Sequence, residues 1–236
     1  MFFKIKNIKL ALVALVTFLL LLSLGFWQLQ RAEEKQRLLT AFNEHSQRNP
    51  LTATDLQQNQ DWEFYRATLT GEFLNDKTVL LDNKLFHGRI GYEVFTPFRL
   101  SSSQVILIDR GFLPQTANGR ATLPLVKKIP GEITVTGFLK RPSKYVSLGK
   151  MVDAMPHESL FRIEFIDLNQ LKALLKQPHL APYLLVLAPN DPSAYPIEWR
   201  IITMGPERHI GYAVQWFALA LTLLVIFVAL NRGRST

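Results

Sequence analysis

The chain has 236 residues, with 27 Lys and Arg against 19 Asp and Glu, and no Cys. The missing cysteines exclude disulfides, thiolate metal sites, iron–sulfur clusters and CxxC redox pairs, although they do not identify a compartment. Charge is absent from Leu10 to Gln30 and from Ile210 to Asn231, runs of 21 and 22 residues. Neither a fully soluble protein nor a polytopic transporter fits that pattern.

In chain order, residues 1–9 form a tail carrying Lys4, Lys6 and Lys9. The first uncharged run follows at residues 10–30 and holds 13 Leu, Ile, Val or Phe residues. A bilayer core needs roughly 20 apolar residues as a helix, so the run reads as a transmembrane helix. It has the lysine-rich start of a signal peptide. However, Leu24-Gly25-Phe26-Trp27 puts large residues where signal peptidase needs small ones, so an uncleaved signal anchor is expected. A mitochondrial presequence is not expected either, because the residues ahead of Leu10 are few and lack Arg and Ser.

Residues 31–209 form the expected extramembrane domain. Arg31–Ser46 continues outward as a helix. Trp62–Leu74, Thr78–Asp82, Tyr92–Leu100, Val105–Phe112 and Ile133–Leu139 are apolar or alternating runs rich in Val, Ile, Phe and Thr, punctuated by Gly, Asn, Ser or Pro. Further strands are expected at Phe161–Ile166, Tyr183–Leu187 and Ile197–Ile202. Asp167–Lys176 reads as a helix with Asp167 as N-cap and Leu168, Leu171, Leu174 and Leu175 at helical spacing. Pro178–Pro196, with five prolines, reads as connecting loops. Residues 210–231 form a second span with 12 Leu, Ile, Val or Phe residues, and residues 232–236 a second tail with Arg232 and Arg234.

The fold class is therefore an α+β membrane protein. Two transmembrane helices flank a β-rich, antiparallel domain resembling a barrel or sandwich. Two spans put both termini on one side. The tails carry five Lys and Arg in 14 residues, against six in 40 on the domain-side flanks. That bias places the tails in the cytoplasm and the domain in the periplasm of a bacterial inner membrane. Between the spans the balance is only 22 basic to 19 acidic residues, interspersed, which gives no support for nucleic acid binding.

The richest cluster of chemistry lies where the spans end. Gly25, Trp27, Gln28 and Arg31 close the first helix, and His209, Tyr212, Ala213, Gln215 and Trp216 begin the second, at the same membrane depth. His209, Ala213 and Trp216 share a helical face, Tyr212 is beside His209, and Ala213 with Ala220 permits close approach of a flat partner or a helix. One reading is ordinary interfacial dressing, since Trp and Tyr are enriched at membrane boundaries. The other is a haem site, with His209 as axial ligand, aromatics beside the macrocycle and Arg31 or Arg208 pairing with propionates. Polar residues in spans often mark function, which adds weight to Gln28 and Gln215.

Elsewhere Asp82, His87 and Asp109 are candidate acid–base groups. No G-x-S-x-G or H-E-x-x-H accompanies them, and His45, His87, His157 and His179 are scattered. Asp109-Arg110-Gly111 reads as a strand-end ion pair with a Gly turn. Gly88-Arg89-Ile90-Gly91 lacks the strand–loop–helix context of a phosphate cradle.

Leu24-Gly25-Phe26-Trp27-Gln28-Leu29-Gln30-Arg31, with Lys35, resembles the G-x-W-Q-x-x-R…K element of the Surfeit-locus (Surf/Shy) family of cytochrome c oxidase assembly proteins. Asn83, Gly88, Gly91-Tyr92-Glu93-Val94 and Thr96-Pro97 resemble its central stretch. Asp109-Arg110-Gly111-Phe112-Leu113-Pro114 resembles its D-R-G-W-V-P, with Phe112 and Leu113 in place of Trp and Val. Gly137-Phe138-Leu139…Pro142, Trp199, and His209-Ile210-Gly211-Tyr212-Ala213-Val214-Gln215-Trp216 complete the series in order. The resemblance implies a two-span inner-membrane protein that helps build haem-copper oxidase and handles haem a. Its implied partners are the oxidase catalytic subunit and the haem a synthesis machinery. It further implies His209 as the haem iron ligand, with Tyr212 and Trp216 in the same motif. Trp27 and Arg31 join them as candidate cofactor-binding residues.

The leading expectation is a non-enzymatic haem a chaperone and assembly factor. A scaffold that binds nascent oxidase subunits without haem is the alternative. A membrane-anchored hydrolase using Asp82, His87 or Asp109 is a third reading, which the missing nucleophile motifs oppose.

Overall fold

Burial along β1 (Arg66–Phe73) alternates strictly between exposed and buried positions, as expected of a strand with one face on a core. The computed structural model describes residues 7–58, 60–142, 151, 160–199 and 201–231. Lys4, Lys6, His157, Arg232 and Arg234 lie outside the described residues. The chain forms two compact units, one made of its two helical ends up to Ala41 and after Trp199, the other of Phe42–Trp199.

The second unit is built on a single sheet. After β1 come β2 (Thr78–Phe86), β3 (Arg89–Leu100), β4 (Val105–Pro114), β5 (Glu132–Lys140), β6 (Leu160–Ile163) and β7 (Leu180–Leu187), with α2 (Leu168–Leu174) between the last two strands. The strand order is β1-β5-β7-β4-β3-β2-β6, and an extra pairing joins β1 to β3. That pairing, Gly71–Phe73 against Phe98–Leu100, closes β1, β5, β7, β4 and β3 into a five-stranded barrel. β3 is long enough for two tasks: its last residues close the barrel, and its first residues pair with β2.

The expected barrel is therefore present, but it is not wholly antiparallel. β7 runs parallel to β4, and β6 runs parallel to β2. Pro178–Pro196 is not all loop either, since β7 crosses it. Pro182 is exposed within that strand, where the register against β4 slips between Val105 and Leu107. A proline tolerates that position because it lacks the N–H a regular ladder needs. Ile197–Ile202 forms no strand among the described residues. Trp62–Leu74 becomes a strand only from Arg66, after Phe64 takes a φ of 69°.

Leu69, Phe73, Phe98, Leu100, Ile106, Ile108, Val135, Leu139, Leu185 and Leu187 form one core cluster. On the other face, Val79, Leu81, Phe95, Val105, Leu107 and Leu184 meet Leu171 and Leu175 around α2. β4 serves both cores, so its first eight residues are all buried. That explains its near-continuous apolar run. Asp167 caps α2 as expected, accepting from the N–H groups of Asn169 and Gln170.

α1 covers Ile8–Ser46 and joins the first span and the expected Arg31–Ser46 helix without a break. Asn7 caps it, its Oδ1 accepting from Lys9 N at 3.0 Å and Leu10 N at 3.3 Å. Its last turns pack on the barrel. Phe42 makes edge contacts with Phe64, Phe138 and Trp199, and His45 lies 4.3 Å from the Tyr65 ring centroid. The indole of Trp199 donates to Leu187 O at 2.8 Å. α3 covers Pro206–Asn231 and begins one turn before the uncharged run, with Pro at its first position. Both helices are long and apolar enough to cross a membrane.

Candidate functional site

Within the helical unit, α1 and α3 are antiparallel. Gln28 meets His209, Gly25 and Phe26 meet Phe217, and the start of α1 lies by the end of α3. Small residues make the approach possible. A methyl group on Gly25 would come within 2.5 Å of the Phe217 ring. Ala213 and Ala220 are almost fully buried on the face of α3 that also carries His209. The small-residue face therefore serves helix packing.

His209 is 9% exposed, and its Nδ1 lies 2.8 Å from Gln28 Oε1. With the amide oxygen facing the ring, Nδ1 is the donor of this bond. This is how a second residue fixes the tautomer and angle of a ligating histidine. Gln28 and His209 were legible as polar groups at one depth; their direct pairing was not.

The other candidates stand around this pair without closing over it. Trp27 is 51% exposed and Tyr212 45%, while Trp216 is half-buried. Arg31 is held by Glu34, one turn on. Both side chains are well exposed, and such a surface pair contributes about 0–1 kcal/mol, so it exchanges readily for another carboxylate. Glu34 is a partner that sequence reasoning missed. The arrangement can supply one imidazole ligand, apolar faces beside it and one guanidinium. Those features fit a haem bound through a single protein nitrogen.

The acid–base candidates of the barrel are each held by a different partner. Asp82 is fully buried and accepts from Arg120 Nε at 2.8 Å, with Arg162 3.9 Å away. His87, at the β2–β3 turn, pairs with Glu198 at 2.8 Å. Asp109 lines a pocket of about 120 Å³ with Lys84, Glu93, Lys140 and Arg141. Burial, and then the Glu93 carboxylate, hold the Asp109 carboxyl well above the usual carboxylate range.

Asp109 and Arg110 do not form the expected ion pair, nor do they end a strand. β4 continues to Pro114, and its pairing with β3 slips between Glu93 and Phe95. Asp109 bonds Gly111 N at 2.9 Å, while Arg110 donates to Ser193 O and Lys127 O, each at 3.1 Å. The Phe73 and Tyr195 rings sandwich its guanidinium at 5.2 and 5.0 Å. Gly111 has φ 100°, and a Cβ there would meet Pro196 O and Tyr195 O at 2.8 Å. A second slip, in β2 between Leu81 and Lys84, holds Asn83 at φ 58° and turns Asp82 inward. These polar motifs therefore mark β-bulges on either side of β3.

A sequence model described as the SURF1 family matches residues 15–221. A SURF1-like protein of Rickettsia felis is 28% identical over 95% of this chain and 98% of its own length. A SURF1-like protein of Monosiga brevicollis is 24% identical over 93% of this chain and 85% of its own. An uncharacterized SURF1-like protein of Mycobacterium bovis is 25% identical over 91% and 79%.

Proposed function

The chain belongs to the SURF1 family, and from that premise we propose that it is a non-enzymatic assembly factor for haem-copper oxidase. In this role it binds haem a through His209 and aids its delivery to the catalytic subunit. It receives the group from the haem a synthesis machinery while anchored in the bacterial inner membrane. Both termini are cytoplasmic and the barrel is periplasmic.

The observation that carries this reading is the His209–Gln28 pair at one end of the helix seam. Haem a, when bound, supplies the iron and macrocycle that the oxidase needs. His209 Nε2 would be the iron ligand, and the Gln28 amide fixes the ring angle. Trp27, Tyr212 and Trp216 would flank the macrocycle. Arg31 would leave Glu34 for a propionate. A single imidazole as the protein's ligand would suit a carrier that must release its cargo.

The test is the haem a content of oxidase in cells lacking their own copy and complemented with wild type or His209→Ala. Reduced haem a with the variant, at equal amounts of membrane-bound factor, is the expected result. Oxidase loaded normally by His209→Ala contradicts the carrier reading. One feature favours the scaffold instead. Leu85 and Ile90, cross-strand partners near the β2–β3 turn, are 68% and 58% exposed. Equal co-purification of oxidase subunits with wild type and His209→Ala, together with normal oxidase, would point there.

A further inference from the structure

The turn that joins β2 to β3 is two residues long, with His87 at φ 47° and Gly88 at φ 76°. A two-residue turn with both φ positive matches the twist of a hairpin and holds its strands together. Phe86 pairs with Arg89 across it, and Leu85 with Ile90. Alternation sends the two pairs to opposite faces. On one face Phe86 stacks on Phe112, with ring centroids 5.2 Å apart. On the other, Leu85 and Ile90 stand exposed. Arg89 is exposed at the same tip and has no ion pair among the described residues. A stiff hairpin thus carries an aliphatic pair and an unpaired guanidinium away from the core.

Both chain links to the spans meet the barrel beside this tip. Phe42, where α1 reaches the barrel, and Trp199, where the chain leaves it, have ring centroids 6.4 Å apart. Glu198, next to Trp199, pairs with His87 at 2.8 Å. Before that pair, Tyr195 N donates to Arg110 O and Phe112 N to Pro196 O, so the departing chain runs along β4 toward the hairpin. Along α1, Phe42 is twelve residues, about 18 Å, from Gln30, the last of the first uncharged run. The eight residues from Glu198 to Pro206, the start of α3, reach at most about 26–29 Å.

A stable protein partner takes roughly 800 Å² on each side, more than two side chains on a convex tip present. A bilayer sets no such minimum, because the spans already hold the chain at the membrane and a further contact adds to that anchor. Lipid phosphate also suits Arg89, whose planar guanidinium matches phosphate oxygens. We propose that the β2–β3 hairpin rests in the bilayer surface, with Leu85 and Ile90 entering the acyl boundary and Arg89 pairing with lipid phosphate. Such a foot would restrict rotation of the barrel about its two links. The inference rests on the two spans and not on the haem reading.

The full chain has no cysteine, so Leu85→Cys, Ile90→Cys and Ser102→Cys can each carry a single bimane label. Ser102 is exposed in the turn at the opposite end of β3 and serves as the reference. All three sites lie on the surface, and equal melting temperatures show that each labelled chain is folded. In nanodiscs of phosphatidylcholine and phosphatidylglycerol, lipids with a nitroxide near the ester carbonyl should quench the first two labels several-fold more than the third. Aqueous iodide should show the reverse order. Adding Arg89→Glu should reduce the lipid quenching at Leu85→Cys, and unchanged quenching would overturn the phosphate pairing. Labels at 85 and 90 that meet lipid and iodide no differently from the label at 102 overturn the proposal. So do labels that stay open to iodide in nanodiscs and become shielded only when the oxidase catalytic subunit is added, since that result places a protein on the pair.

Discussion

In the barrel, Arg110 spends its guanidinium on two backbone carbonyls between two aromatic rings, and Asp82 is closed off by Arg120. In the helix pair, His209 shares one hydrogen bond with Gln28, and exposed Trp27 and Tyr212 stand nearby. Both regions bury a polar group. The barrel domain also holds Trp62 Nε1 and Tyr92 OH buried without a hydrogen-bond partner among the described residues. Burial of an ionisable residue is therefore a poor guide to function in this molecule. What separates these particular groups is the number of partners: Arg110 meets two carbonyls and Asp82 meets Arg120 and Arg162, while His209 meets Gln28.

Substitutions sharpen that contrast, beginning with Arg110→Ala. It should lower unfolding free energy by about 3–4 kcal/mol, because buried carbonyls lose charge-assisted bonds and packing is lost. Denaturant unfolding of the purified protein measures it, and a loss under about 1 kcal/mol would mean the guanidinium is not a structural tie. Leu107→Ala, in the strand that serves both cores, should cost about 2–4 kcal/mol by the same assay.

Asp109→Asn should act through pH. The folded carboxyl holds its proton to higher pH than the unfolded one, whose ordinary value is 3.8. Its contribution is therefore fully present below that value and is lost as pH rises toward the folded pKa. Melting temperature followed upward from about pH 4 should fall less steeply in the variant than in wild type. Identical slopes would show that Asp109 ionises as freely folded as unfolded.

His209→Ala should change barrel unfolding by less than about 0.5 kcal/mol, since its hydrogen-bond partner Gln28 belongs to the helical unit. A larger loss would erase the distinction between the two regions.

Elements fixed by local chemistry were readable from residue types. The spans announced themselves by missing charge, α2 by Asp167 and its leucine spacing, and β4 by an apolar run buried on both faces. Features set by distant partners were not. The barrel closes through Gly71–Phe73 against Phe98–Leu100, and no local pattern encodes that pairing. Phe42, Phe64, Phe138 and Trp199 meet from four separate segments. The polar Asp109-Arg110-Gly111 looked like a turn because a bulge uses the same residue types, and only the slip against β3 tells them apart. In the candidate site, membrane depth placed His209 near Gln28, but the hydrogen bond depends on helix rotation, which composition does not fix.

Absorption spectroscopy of the full chain, purified in mild detergent from cells that make haem a, tests the ligand assignment most directly. Wild type should carry a haem a spectrum, and His209→Ala, folded and inserted to the same extent, should lack it. Haem a retained by the variant at wild-type levels would contradict the assignment of His209.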